Sequence, residues 1–447
     1  MVARSLRVRR AGRGRMIRRL RGGLAAAAIA VTLVAGAPAT AQAATPGGSP
    51  PAAAGEDPVR AAQYWLNDYG IAEAWQTTRG AGVKIAIVDT GIGRGSTEFD
   101  GAVSAGTDVS GAGSSDGRTP VGAVDADHGS WVASLAAGRG TGPDTGVIGV
   151  APEAQLLSVS VGFGSSATRS FADQIVDAIH WSVDNGADVI NMSLTTNVPD
   201  WPESWDEAFQ YAFDNDVVIV VAAGNRGSGT TKVGAPATIP GVLTVGGVDR
   251  SGKASVDAST QGITIGVSAP SEELVGVSAD GTVVSWDGTS GAAPIVAGIA
   301  ALVRAAHPEL DADNVINRIV KTAHAVGADP ADKLLYGYGL VDAAAAVSAE
   351  VPSVDANPMG SLKDWVRLYR RAQSEPLPTE PEPVAEVPPL PKADTVTRAS
   401  SPLLPDRDTV LYGTLPLTLL TAAAILVALG VTAAVRRIRL ASPTPSR

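Results

Sequence analysis

The chain has 447 residues and no cysteine, which leaves room for one large domain or two ordinary ones and excludes disulfides and thiolate metal sites. Its formal net charge of −10 is unevenly spread: nine arginines fall in residues 1–43 and four in 436–447, with no acid in either, so the remainder holds 22 basic and 45 acidic side chains, a net of −23. A surface of that sign disfavours nucleic acid and anionic lipid headgroups as partners.

Met1 to Arg21 is rich in arginine, Leu24 to Ala37 is apolar, and Ala39, Ala41 and Ala43 are small and alternate. That order predicts a signal peptide over residues 1–43, cleaved after Ala41 or Ala43. Thr45 to Asp57 is rich in Pro, Gly and Ala, and residues 44–62 read as a flexible lead-in, with order beginning near Gln63. Over residues 63–350 short apolar runs alternate with helix-length segments. The strands are expected at Val83–Val88, Gln155–Val161, Asp188–Leu194, Val217–Ala222 and Val242–Val248, and the helices at Ser130–Ala137, Ser170–Asn185, Glu203–Asp214, Thr289–Ala306 and Ala312–Ala323. Such β-branched runs suit strands buried on both faces, and strand-then-helix repetition predicts an open α/β fold with a mainly parallel central sheet. Sites in these sheets form beyond the carboxyl ends of the strands.

From residue 351 the character changes. A basic patch at Arg367–Arg371 precedes a Pro- and Glu-rich stretch, Glu375 to Pro391, and residues 351–414 read as an extended stalk. Leu415 to Val435 carries no charge over about twenty residues, the length of a transmembrane helix; a buried core helix would keep some polar positions. Arg436, Arg437 and Arg439 follow, so residues 436–447 are expected to be a cytoplasmic tail, with the main domain outside.

Four positions point to chemistry. Asp89 ends a strand in Val88-Asp89-Thr90-Gly91, His128 opens His128-Gly129-Ser130 before a helix, Asn225 ends Ala223-Gly224-Asn225, and Ser290 sits in Gly288-Thr289-Ser290-Gly291 where a helix begins. A serine hydroxyl becomes a useful nucleophile when an imidazole takes its proton, and the imidazole needs a carboxylate to hold its tautomer. The chain has four histidines. His180 lies within an amphipathic helix, His307 at a helix end before Pro308, and His324 after another helix, whereas His128 alone sits in a small-residue turn. Ser290 at a helix start has free backbone N–H groups to bind an oxyanion, and the Asn225 amide suits a second donor. Taken singly, Asp-Thr-Gly is also a strand exit, Gly-Thr-Ser-Gly an N-cap, and His-Gly a plain turn.

These motifs resemble those of the subtilases, a family of serine peptidases. Val-Asp-Thr-Gly-Ile at 88–92, His-Gly-Ser at 128–130, Ala-Ala-Gly-Asn at 222–225 and Gly-Thr-Ser-Gly-Ala-Ala-Pro at 288–294 occur in the family's order. Gly-Val-Ala-Pro at 149–152, Asn-Met-Ser-Leu at 191–194 and Gly-Tyr-Gly-Leu-Val-Asp-Ala at 337–343 add further landmarks. The resemblance implies a subtilisin-like three-layer fold and a serine endopeptidase. It assigns the nucleophile to Ser290, the base to His128, the orienting acid to Asp89 and the oxyanion donors to Asn225 and the Ser290 amide. It also implies that Ser193, Leu194, Ala222, Ala223 and Gly224 flank the substrate and line its first specificity pocket. Where the family often continues Ser-Leu-Gly-Gly, this chain has Thr195-Thr196, which predicts a narrower pocket and small P1 residues. Calcium is often bound in the family, but no carboxylate cluster here has ligand spacing, and Asp125 and Asp127 read as an exposed loop; no cofactor is expected.

The order of segments resembles mycosins, membrane-anchored subtilases associated with actinobacterial type VII secretion. About 45 residues separate the cleavage site from Asp89, too few for a folded inhibitory prodomain, and the lack of cysteine departs from mycosins. This resemblance implies protein or peptide substrates, type VII secretion components as partners, and a single-pass cell-membrane protein with its protease domain extracellular. The alternatives are a structural scaffold of a secretion complex with little turnover, or a general surface protease unrelated to secretion.

Overall fold

The computed structural model describes residues 4–5, 57–123, 125–327, 329–370 and 409–441. The five apolar runs are strands: β1 (Lys84–Asp89), β3 (Gln155–Ser160), β4 (Val189–Met192), β5 (Val218–Ala222) and β6 (Leu243–Val248). Two more, β2 (Val103–Asp108) and β7 (Ile265–Pro270), complete a seven-stranded parallel sheet in the order β2-β3-β1-β4-β5-β6-β7. These two are the sheet's edges. Their sequences, Val-Ser-Ala-Gly-Thr-Asp and Ile-Gly-Val-Ser-Ala-Pro, carry no continuous apolar run: β2 is only partly buried, and β7, though buried, is built of small and polar residues whose outer flank is hydrogen-bonded to residues 338–341, so sequence periodicity missed them.

The period-two alternation of side chains sorts the sheet into two cores. Ile85, Ile87, Val189, Val218 and Val220 face helices α2 (His128–Ala137), α5 (Thr289–Ala306) and α6 (Ala312–Thr322), while Ala86, Val88, Ile190, Met192, Ile219 and Val221 face α3 (Phe171–Asp184) and α4 (Ser204–Asp214). The result is three layers, helix, sheet and helix. An antiparallel hairpin, β8 (Leu274–Val277) and β9 (Val283–Trp286), delivers the chain to the start of α5.

The ends of the domain lie further out than the sequence suggested. Asp57 accepts hydrogen bonds from Val59 and Arg60 N–H and caps α1 (Pro58–Ala62), and the Arg60 guanidinium donates to the Gly146 and Thr145 carbonyls. The last part of the expected lead-in is therefore folded, because a proline at the first helical position and an Asp cap outweigh the flexible composition before it. Likewise residues 351–370 are not an extended stalk. Asn314 exchanges hydrogen bonds with Val354, the Asn317 amide donates to Pro352, and α7 (Leu362–Tyr369) buries Leu362 at 2% exposure. Trp365 stacks on Trp201, and Arg370 lies over both rings and pairs with Asp206. Of the expected signal segment only Arg4–Ser5 is among the described residues, paired with Val284 and Ser285; the Pro-rich stretch 375–391 lies outside them.

The C-terminal unit is a separate body. Its helix α8 (Leu415–Ala441) spans 27 residues, with mean hydropathy 2.3 over its most apolar window and every described side chain exposed. At 1.5 Å per residue it is about 40 Å long, enough to cross a bilayer core.

Candidate active site

From β1 the chain adds β2 and β3 on one side and β4 to β7 on the other, so the winding reverses between β1 and β4. A crevice opens there at the carboxyl ends of the strands. Asp89 is the last residue of β1, Ser193 follows β4, and Asn225 lies just beyond β5.

Asp89 is 1% exposed. Its Oδ1 accepts from the Thr90 N–H at 2.7 Å and lies 2.7 Å from His128 Nδ1. That contact holds the proton on Nδ1 and leaves Nε2 as the basic atom. Burial works against the imidazolium, and the charge and hydrogen bond of Asp89 outweigh it, so His128 is raised above its ordinary value. Trp131 and Trp286 pack edge-on against the imidazole, with ring centroids 6.1 and 5.8 Å away, and limit its rotation.

The rest of the His-Gly-Ser motif docks α2 onto the strand exit. A side chain on Gly129 would put its first carbon 2.6 Å from the Gly91 carbonyl oxygen. The Thr90 hydroxyl accepts from Gly129 N–H and donates to the Ala126 carbonyl, and the Ser130 hydroxyl accepts from Gly93 N–H. The other histidines are engaged elsewhere: His180 stacks on Tyr211, His307 bonds the Val347 carbonyl, and His324 bonds Asp342.

Ser290 occupies the first turn of α5, whose sixth residue is Pro294. Proline has no N–H, so the Ser290 carbonyl lacks its partner four residues on. The Ser193 hydroxyl supplies one at 2.8 Å and itself accepts from the Asn191 amide at 2.9 Å. This link ties the first turn of α5 to the end of β4. The Ser290 hydroxyl donates to the Ser193 carbonyl at 3.3 Å rather than to His128, a resting arrangement common before substrate tightens a site. Asn225 Oδ1 accepts from both the N–H and hydroxyl of Thr289, at 2.8 and 2.9 Å. With its oxygen anchored, the Asn225 NH₂ group has no partner among the described residues and is available to the cleft.

Asp89 is packed behind His128. His128, Asn225 and Ser290 line one open cleft of about 340 Å³, together with Ser193, Leu194, Ala222 and Gly224. Ala223, expected in this lining, is instead buried in the core under α3 and α4, because alternation along the extended segment turns it away from its neighbours. Thr195 lines the cleft, but Thr196 does not: its hydroxyl turns to the Val198 carbonyl. The second methyl narrowing the pocket belongs to Thr230. A carbon built on Gly224 would lie 2.7 Å from Thr230 Cγ2 and 2.9 Å from Thr195 Cγ2. Thr230 gave no signal in the sequence, since it reaches the site through a turn closed by its own N–H on the Asn225 carbonyl. Phe163, which also lines the cleft, could have been found as an aromatic just past the carboxyl end of β3. Among the described residues no three acidic or histidine side chains gather to hold a metal ion, and the Asp127 carboxylate accepts from Ala279 N–H.

A family model, peptidase S8 of the subtilase family, matches residues 80–339. Subtilisin DY of Bacillus licheniformis is 37% identical over 274 residues, 61% of this chain and 93% of its own. Mycosin-4 of Mycobacterium tuberculosis is 35% identical over 323 residues, 62% of this chain and 67% of its own. Among solved structures, MycP1 with its N-terminal propeptide removed superposes with a TM-score of 0.54 at 32% identity, covering 65% of this chain and 98% of that one. The MycP3 protease of the type VII (ESX-3) secretion system gives 0.54 at 33% identity, covering 67% and 90%. With the fold, the motif order and the cleft in agreement with that match, the chain belongs to the subtilase family of serine peptidases.

Proposed function

We propose that Ser290, His128 and Asp89 form the catalytic triad of a serine endopeptidase that cleaves peptide bonds through an acyl-enzyme. The observation that carries this reading is the 2.7 Å contact between a buried Asp89 and His128 at the wall of the cleft that also holds Ser290. His128 Nε2 takes the Ser290 proton as the hydroxyl attacks the scissile carbonyl, then gives it to the leaving amine, while Asp89 stabilises the imidazolium. The free Asn225 NH₂ and the Ser290 N–H, an uncommitted donor of a first helical turn, bind the oxyanion. The Thr195 and Thr230 methyls crowd the pocket floor at Gly224 and favour small P1 residues such as alanine. A peptide-library profile led by large aromatics at P1 would contradict this.

The same reading makes the protein a single-pass membrane protein, anchored by α8, with the arginines at 436, 437 and 439 on the cytoplasmic side and the protease domain outside. Likeness to mycosin-4 and to the MycP3 protease of a type VII secretion system supports a role in protein secretion, with secretion components as partners. The test is fluorophosphonate labelling of the membrane-bound full chain beside Ser290→Ala and His128→Ala forms. Labelling confined to the wild type supports an activated Ser290. A folded wild type that takes no label would favour a scaffold in a secretion complex.

A further inference from the structure

His128 and Ser290 stand on different helices, α2 and α5, and the Ser290 hydroxyl bonds the Ser193 carbonyl instead of the imidazole. Something other than a bond between the two side chains must therefore set their spacing. The β8–β9 hairpin touches both helices. Trp131 Nε1, on α2, donates to the Ser278 hydroxyl at 2.8 Å, and the Val277 N–H donates to the Ser134 hydroxyl at 3.2 Å, so the hairpin is fastened to the helix that carries His128. Trp286, the last residue of β9, is 2% exposed, and its ring centroid lies 5.8 Å from that of the imidazole and 5.7 Å from that of Trp131. A side chain on Gly291, next to Ser290, would put its first carbon 3.2 Å from Trp286 Cη2. One indole thus packs against both the imidazole and the turn that bears the serine. Its Nε1 is buried without a hydrogen-bond partner among the described residues. A donor left so costs stability, so what the indole contributes there is the bulk of its ring.

Resting on the proposed triad, we infer that Trp286 is a positioning residue, a spacer backed by Trp131 that sets the distance and orientation of His128 relative to Ser290. It acts on kcat, because proton transfer from the serine needs the imidazole in one place, and a displacement of about 1 Å can cost up to a hundredfold in rate.

The experiment uses the full chain in detergent, with fluorophosphonate labelling and a peptide p-nitroanilide carrying alanine at P1. Trp286→Ala should lower kcat and the labelling rate by about tenfold or more, with KM changed less than about threefold, and Trp286→Phe, which keeps a smaller ring, should recover to within about threefold of the wild type. Burial is the largest single influence on His128 and opposes its charge, against Asp89 and Asp125; opening the site by Trp286→Ala should move the acid limb of kcat/KM to higher pH. Val275→Ala is the control for lost packing alone, since Val275 is buried in the same hairpin and points to the face opposite Leu274 and Trp286. It should lower Tm and leave labelling within about twofold of the wild type. A Trp286→Ala form that loses stability but keeps the wild-type kcat and acid limb, or a Val275→Ala form slowed as much, would overturn the inference and leave the triad intact. If Trp286→Ala does not fold, a Trp286→Phe form with unchanged kcat overturns it. A wild type that neither takes label nor cleaves the peptide would overturn the triad reading and the inference with it.

Discussion

The hydrogen bond from Ser193 to the Ser290 carbonyl offers a test of how the proposed nucleophile is held. That carbonyl is buried, and Pro294 has removed its helical donor, so the Ser193 hydroxyl at 2.8 Å is its partner. Ser193→Ala leaves a buried acceptor unsatisfied, which costs about 1–3 kcal/mol. For a domain of this size that lowers Tm by several degrees. Because the turn bearing Ser290 is then free to shift, the second-order rate of fluorophosphonate labelling should fall roughly tenfold, with kcat affected more than KM. The decisive comparison is a double-mutant cycle with Pro294→Ala, which restores an N–H four residues beyond Ser290. In that background Ser193→Ala should cost at least about 0.5 kcal/mol less, measured by thermal unfolding and by labelling rate. Equal costs in the two backgrounds would refute the argument, since the lost interaction would then lie elsewhere.

The pH profile should show an acid limb in kcat/KM whose midpoint lies above the ordinary histidine value of about 6.5, because the imidazole must be neutral to accept the Ser290 proton and Asp89 favours its charged form. Asp89→Asn removes that charge, leaving only the weaker pull of Asp125 against burial, and moves the limb to lower pH, while the rate itself collapses as the tautomer is lost. Gly129→Ala forces a carbon to within 2.6 Å of the Gly91 carbonyl; denaturant unfolding should show a loss of about 1–3 kcal/mol, and labelling should weaken as His128 moves. Leu362→Ala, at a side chain only 2% exposed, should cost about 2–5 kcal/mol without changing the rate of fluorophosphonate labelling. A soluble chain ending at Arg370 should likewise be more stable than one ending at Glu350.

Much of this was legible from residue order alone. The buried strands announced themselves because a sheet covered on both faces demands continuous apolar runs, and Asp89, His128, Asn225 and Ser290 stood out because each sits at a strand exit or helix start among small residues. The long apolar helix at 415–435 was readable because an uninterrupted uncharged run leaves one continuous signal in the sequence. The edge strands β2 and β7 left weaker traces, β2 because it is only partly buried and β7 because small and polar residues fill its buried positions. Local composition also misled at 351–370, where a change in character suggested a stalk. The fold of that segment depends on Asn314, Asn317, Trp201 and Asp206, which are distant in sequence. The site divides the same way. Residue order picked out the side chains proposed to carry the chemistry, because each motif encodes its own local turn. Only the tertiary structure decided that Ala223 faces the core, that Thr230 rather than Thr196 narrows the pocket, and that Ser193 replaces the bond Pro294 removes, because those facts depend on which segments the sheet and helices bring into contact.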